Sequence, residues 1–342
     1  MINIIERFNL AWGAAVMGTG VLTILTSQAG GAFVPVAVVL FGINTLLLAY
    51  ALLCWAPMWF VAPKKIQSIV NDASKLVFLP TVPIGVVVYA SSLMSLRGRY
   101  FHGLSPLFPA ILWLTASVVL IALAVHFFDR MFASPAIEIQ HSTFGWLIPP
   151  VALLVIPLGA PAVVGAFSPK FAEVLILVSL AIWGAGFFAY LFVNAAITHR
   201  YFFHEMPVNQ MTPMVWVGLG PLGAGAAGLL SIAQTADHMP GLGGIGNTGY
   251  FLAVLIWGFG FIWYLVSLVL TTRKAIFERI PYTMGFWAFT FPLGAFTLAT
   301  KLLALRTGIA ALDVLFWILF VNLWAFWLLT AFRTGKFVVK GS

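Results

Sequence analysis

Apolar residues in this chain neither alternate nor keep to one helical stripe. They run in blocks of about twenty or more, separated by short stretches that hold charges, amides, Gly and Pro. A hydrocarbon core of ~30 Å takes ~20 helical residues to cross, so each block is long enough to span a membrane. Ten blocks predict ten helices, at about 8–28, 32–57, 76–96, 105–128, 144–166, 171–198, 210–233, 249–272, 283–305 and 309–332. Shorter and longer connections alternate between them, which predicts five helical hairpins in a single transmembrane domain, 1–342.

Composition turns that pattern into a fold class. Of 342 residues 62% are hydrophobic and 8% charged, against roughly 25% charged in soluble domains. The 17 Lys and Arg against 9 Asp and Glu leave a balance of +8, and a base surplus alone would suit a nucleic-acid binder as well as a membrane protein. The scarcity of charge decides: so few charges cannot clothe a water-facing surface, whereas a lipid-facing one needs none. The expectation is an all-α integral membrane protein in contact with lipid, with no nucleic-acid partner. The single Cys54 excludes an intramolecular disulfide and a Cys-based zinc site, and nothing calls for a cofactor. The first apolar run lacks an Ala-x-Ala processing site and reads as a span rather than a cleaved signal.

The positions of Lys and Arg give an orientation. The N-terminus, the connections after even spans and the C-terminal tail hold twelve: Arg7, Lys64, Lys65, Lys75, Arg130, Arg200, Arg273, Lys274, Arg279, Arg333, Lys336 and Lys340. The other side holds five: Arg97, Arg99, Lys170, Lys301 and Arg306. Both termini are therefore expected in the cytoplasm, with the protein in the cell (inner) membrane.

Proline supplies an internal repeat. The third, fifth, seventh and ninth spans carry Pro83-Ile84-Gly85, Pro157-Leu158-Gly159, Pro221-Leu222-Gly223 and Pro292-Leu293-Gly294, with prolines 74, 64 and 71 residues apart. A step of 65 back from Pro83 reaches Gly18-Thr19-Gly20 in the first span. A mid-span Pro removes a backbone donor and kinks a helix, and such breaks are tolerated in a membrane only where protein or a watery cavity covers them. The odd spans are thus expected as an inner ring of five Pro/Gly-kinked helices around a central pore, with the even spans as an outer ring of five.

Candidate chemistry along that pathway is uncharged. Midplane polar groups are hydroxyls and exposed peptides, namely Thr19, Thr81, Thr290 and Thr297 and the backbone near Gly20, Gly85, Gly220 and Gly223. Without rings of Asp or Glu a pathway does not draw cations, which leaves anions or neutral solutes. Arg97, Arg99, Lys301 and Arg306 suggest a cationic outer vestibule with no acid close by. Broken helices whose outer halves start near the midplane would add positive dipole ends, offset by inner halves ending there. With no Lys or Arg at the centre, an anion would leave quickly, which suits a channel. Phe291, in Thr290-Phe291-Pro292, is either a hydrophobic gate or one of 31 Phe that merely pack. His126 and Asp129 share helical spacing but lack a third ligand for a catalytic metal, so no enzyme is expected. The 13 Trp read as an interfacial belt, and Asn44, Asn194 and Asn322 as hydrogen-bonding residues between helices.

Met17-Gly18-Thr19-Gly20, Gly220-Pro221-Leu222-Gly223, Gly285-Phe286-Trp287-Ala288-Phe289-Thr290-Phe291-Pro292 and Thr334-Gly335-Lys336-Phe337 together resemble the tellurite-resistance/dicarboxylate transporter family along essentially the whole chain. That family includes bacterial tellurite-resistance proteins, fungal malate and sulfite transporters and plant slow anion channels. The resemblance implies ten helices in five hairpins with quasi-fivefold symmetry, a homotrimer with one pore per protomer, and a pore-plugging Phe in the ninth span. Phe291 matches that Phe, with Phe289 the alternative. Expected pore-lining residues are Gly18, Thr19, Gly20, Thr81, Pro83, Pro157, Gly220, Pro221, Thr290 and Pro292. The permeants implied are monovalent anions, sulfite or C4-dicarboxylates, moved by a channel or, alternatively, by a proton-coupled carrier. The long tails through which plant members are controlled by phosphorylation have no counterpart in this sequence.

Overall fold

The computed structural model describes residues 2–133, 138–204 and 209–339 and holds no strand among them; Lys340 lies outside the described residues. Its ten long helices are α1 (Trp12–Gln28), α2 (Val34–Val61), α3 (Thr81–Tyr100), α4 (Leu107–Ala133), α5 (Ile148–Val163), α6 (Pro169–Phe203), α7 (Leu219–Ala236), α8 (Ile245–Phe277), α9 (Thr290–Thr307) and α10 (Ala310–Val339). Helix is what these blocks must form, because in hydrocarbon each peptide group has to find its partner within the segment. Local signals set the ends. Pro169 occupies the first turn of α6, where its missing N–H costs nothing. Gly308 ends α9 at φ +67°, a left-handed position that glycine adopts without a Cβ clash, and donates its N–H to the carbonyl of Ala304.

Nine of the described segments, those holding α2 to α10, are long and apolar enough to cross a membrane; α1, with 17 residues, is shorter. Burial divides them. The most apolar stretch of the segment holding α7 is 94% buried and that of α8 is 28% buried, and the same contrast separates α3, α5 and α9 from α2, α4, α6 and α10. Helix α1 is buried along nearly its whole length. Each buried helix packs on two others: α1 on α3 and α9, α3 on α5, α5 on α7, and α7 on α9. The even helices lie outside, each against its hairpin partner and the next odd helix. Their outward faces carry residues such as Phe60 and Phe132, each 85% exposed, which only a lipid environment accommodates over such an extent.

Two sequence expectations about breaks need correction. Rather than kinking a continuous α-helix, Pro83, Pro221 and Pro292 are each the third residue of α3, α7 and α9. The chain enters α7 and α9 through 3₁₀ segments, Asn209–Gly218 and Met284–Phe289. A first-turn Pro loses no intrahelical bond, so it marks a change of winding and not a kink. In α5 that register belongs to Pro150, which follows the 3₁₀ segment Phe144–Leu147; Pro157 and Pro161 lie inside the helix. Close packing agrees, since a Cβ built at Gly220 would touch Val151 at 3.2 Å and Pro292 at 3.9 Å. Helix α1, in turn, runs unbroken through Gly18-Thr19-Gly20. There the glycines admit neighbours: a Cβ on Gly18 would overlap Thr290, and one on Gly20 would meet Val88 at 2.8 Å and Asn44 at 3.0 Å.

Trp residues, read from sequence as an interfacial belt, largely tie the two layers together. The indole N–H of Trp113 (α4) donates to the carbonyl of Ile156 (α5), and that of Trp183 (α6) to Gly225 (α7). Trp257 (α8) donates to the hydroxyl of Thr300 (α9), and Trp327 (α10) to that of Thr19 (α1). Each outer helix from α4 onward is thereby clasped to the inner helix of the following hairpin, with α10 returning to α1. A buried indole N–H needs an acceptor, and in the low-dielectric interior the nearest one is a neighbouring helix. Asn322 donates to the Tyr264 hydroxyl at 2.9 Å, as an interhelical amide should, whereas the buried Asn44 amide, expected to do the same, has no hydrogen-bond partner among the described residues.

Candidate functional site

Two cavities lie among the five buried helices, and all five contribute walls to both. The larger, about 290 Å³, has Val21, Val88 and Leu298 among its apolar walls and Gln28, Ser91, Ser95 and Ser231 as polar side chains. The smaller, about 60 Å³, is bordered by Met17, Thr81, Met214, Gly220, Trp287 and Pro292 among others. No Asp, Glu, Lys or Arg borders either one among the described residues. Phe291 is the one described residue that borders both. It is the second residue of α9 and 3% exposed.

The walls of the smaller cavity combine helix beginnings, Thr81 of α3, Ile148 and Val151 of α5, Gly220 of α7, and Phe291 and Pro292 of α9, with residues of the 3₁₀ segments before α7 and α9. First turns carry the positive end of the helix dipole. Here the 3₁₀ segments before α5, α7 and α9 continue the run of peptides, so the field is weaker than at a free terminus, in line with the offset expected from the sequence. The wall is a set of uncharged surfaces.

The expected pore-lining residues divide by where they point. Thr81, Gly220 and Pro292 border the smaller cavity. Thr81 shares its hydroxyl proton between the carbonyls of Leu10 at 2.8 Å and Phe78 at 2.7 Å, so it faces the cavity already engaged. Thr290 is buried, donates to the Trp287 carbonyl at 2.8 Å, and borders neither cavity. Thr19 turns to the outer layer, where it accepts the indole N–H of Trp327 at 3.0 Å. Gly18 and Gly20 sit at helix contacts, and Pro83, Pro157 and Pro221 are buried away from both cavities. Phe289 stacks on Phe326 at 4.9 Å and meets Trp216 edge-on at 5.9 Å. It borders a separate cleft between α8 and α10.

The four cations expected at an outer vestibule depart further from expectation. Sequence reading expected no acid near its cations, yet Arg306 Nη1 is 3.0 Å from Asp237 and Lys301 Nζ is 3.7 Å from Asp313, also lying over the Phe316 ring. Arg97 donates to the carbonyl of Leu104 at 2.7 Å, and Arg99 is exposed. None of the four borders a central cavity. Asp237 is 69 positions from Arg306, and only the packing of α7 against α9 brings them together.

Sequence reasoning missed the serines and the Trp clasps. Ser91 and Ser95 stand in the same odd span as Thr81, and Ser231 in the odd span of Gly220 and Gly223, so hydroxyls on an inward span were signal enough. Trp113, Trp183, Trp257 and Trp327 recur at steps of 70, 74 and 70 residues, close to the proline period.

A sequence model described as voltage-dependent anion channel matches residues 7–335. An uncharacterised transporter of Methanocaldococcus jannaschii is 32% identical over 100% of this chain and 98% of its own length. A second from the same organism is 31% identical over 99% and 96%. A sulfite efflux pump of Arthroderma otae is 26% identical over 91% of this chain and 85% of its own.

Proposed function

Because the chain belongs to the voltage-dependent anion channel family, and is thus a multi-pass membrane protein of anion transport, we propose that it conducts small anions through a pore along the axis of α1, α3, α5, α7 and α9, closed at Phe291. The observation that carries this is the position of Phe291 as the one described residue shared by two otherwise separate cavities. Closed pairwise packing of the five buried helices supports an inner ring, with α1 as a tenth span and five outer helices around it. The uncharged walls support fast release, since hydroxyls and peptide dipoles hold an anion less tightly than a full counter-charge in low dielectric. Ser91, Ser95 and Ser231 in the larger cavity are the groups that would take the place of lost hydration. Relatives named sulfite efflux pumps support sulfite as one permeant in this reading, beside monovalent anions and C4-dicarboxylates. The working unit in this reading is a homotrimer in the plasma membrane with one pore per protomer and both termini cytoplasmic.

The test is electrical. In planar bilayers Phe291→Ala should raise unitary conductance at least several-fold, with a reversal potential that follows the anion gradient. An unchanged conductance removes the gate, and a reversal that follows the cation removes the anion pathway. The pump relatives also favour a second reading, a proton-coupled carrier with alternating access, which predicts saturable, pH-driven uptake at rates far below those of a pore.

A further inference from the structure

A cleft of about 1040 Å³ opens between α8 and α10 at the end of the helices that holds the C-terminal residues, and shares no described lining residue with the two cavities among the buried helices. Its size is at the upper end of ligand pockets, roughly 300–1,000 Å³. Along its length the walls are mainly apolar, with Leu268 and Ile276 from α8 and Phe326 and Leu329 from α10, interrupted by Thr271, Thr272 and Asn322. Its mouth carries two guanidinium groups, Arg279 and Arg333. Arg333 lies over the ring of Phe286, 5.6 Å from its centre, which keeps the cation above the apolar floor. Arg279 is the one described non-glycine residue with positive φ, 54°; that backbone position costs of order 1 kcal/mol for a side chain with a Cβ, and it places the cation at the turn that follows α8. The one acid on the lining, Glu278, has Lys274 at 3.1 Å, so base remains in surplus at the mouth. Ile276 on the lining and Phe277 next to it are 68% and 79% exposed, an apolar rim beside the two cations.

A largely apolar trough with two guanidinium groups on its lining has the chemistry of a site for an acidic phospholipid, which would lay an acyl chain along the trough and its phosphate toward the guanidiniums. We propose that this cleft binds one anionic phospholipid per chain, drawn from the leaflet on the C-terminal side. The proposal requires only that the protein sits in a membrane and is independent of the gate at Phe291.

Native mass spectrometry of the purified protein titrated with phosphatidylglycerol or phosphatidylcholine tests it. One phosphatidylglycerol should be retained in preference to phosphatidylcholine, with each Arg contributing about fivefold to the preference. Arg279→Gly together with Arg333→Gln should abolish the preference, Arg333→Lys alone should keep most of it, and Arg273→Gln, exposed on α8 outside the cleft, should leave it intact. Equal retention of the two lipids by the unaltered protein, or an unchanged preference in the double variant, overturns the proposal. So does a cleft covered by a second copy of the chain. In that case Ala275→Cys, in a Cys54→Ala background, stays shielded from maleimide after delipidation in a sample whose mass is that of an oligomer.

Discussion

At the scale of single residues, identity told more than direction. Phe291 stood out as a bulky ring in a repeated Pro-Leu-Gly setting, with its neighbour Phe289 as the alternative; packing separates them, because Phe289 is engaged by Phe326 and Trp216 while Phe291 borders both cavities among the buried helices. Thr19 and Thr81 have the same side chain, yet one accepts from an outer Trp and the other faces the smaller cavity. Which way a hydroxyl turns depends on the nearest acceptor or donor of another helix, and that is not a local property. Gly18 is the residue whose role changed most. In place of a weak point it is a contact with Thr290, where a methyl would overlap. Gly18→Ala gains about 0.5–1 kcal/mol of helix propensity but incurs overpacking of about 1–3 kcal/mol, so overpacking wins. The variant should unfold at lower temperature in detergent, and adding Thr290→Gly should recover part of the loss; additive effects of the two changes would show that the contact is not what limits position 18.

At the scale of elements, the apolar blocks were legible because hydrocarbon leaves a helix as the only open segment that satisfies its own backbone. The breaks were legible as residues and misread as geometry. A Pro in the first turn of a helix and a Pro in its interior look alike in a sequence, and only the start of the helix tells them apart. The two cases differ by energy as well: an interior Pro forfeits a hydrogen bond and costs about 3 kcal/mol, whereas a first-turn Pro forfeits none. Pro157→Ala, inside α5, is therefore expected to raise the unfolding temperature by restoring the donor to the Leu153 carbonyl. Pro83→Ala, at the third position of α3, should leave it within experimental scatter. Thermal unfolding of the two variants side by side checks the assignment, and equal shifts would remove it. The Trp clasps belong to this scale too, each worth roughly 0.6 kcal/mol by the average for hydrogen bonds between membrane helices, enough to set the register of one helix on the next without holding the fold by itself.

At the scale of the molecule, charge carries the argument for orientation. With Lys64, Lys65, Arg273, Arg279 and Lys336 gathered at one end of the helices, a cysteine at that end should react only from the cytoplasm. In a Cys54→Ala background, Lys336→Cys is expected to be labelled by an impermeant maleimide only after the cells are opened. Gly103→Cys, in the connection between α3 and α4, should be labelled on intact cells. Reversed labelling would invert the topology. The same charges proved less available than their number suggests, since Arg306 and Lys301 have Asp237 and Asp313 beside them. What the sequence by itself determined is the solvent this protein folds in, its helical blocks and the absence of fixed charge within them, because hydrophobicity, block length and the cost of burying charge are properties of composition along the chain. Only the tertiary structure decided which cations are paired, which hydroxyls face a cavity, which proline begins a helix, and that Phe291 and not Phe289 borders both cavities, because each of these depends on contacts between residues dozens to hundreds of positions apart.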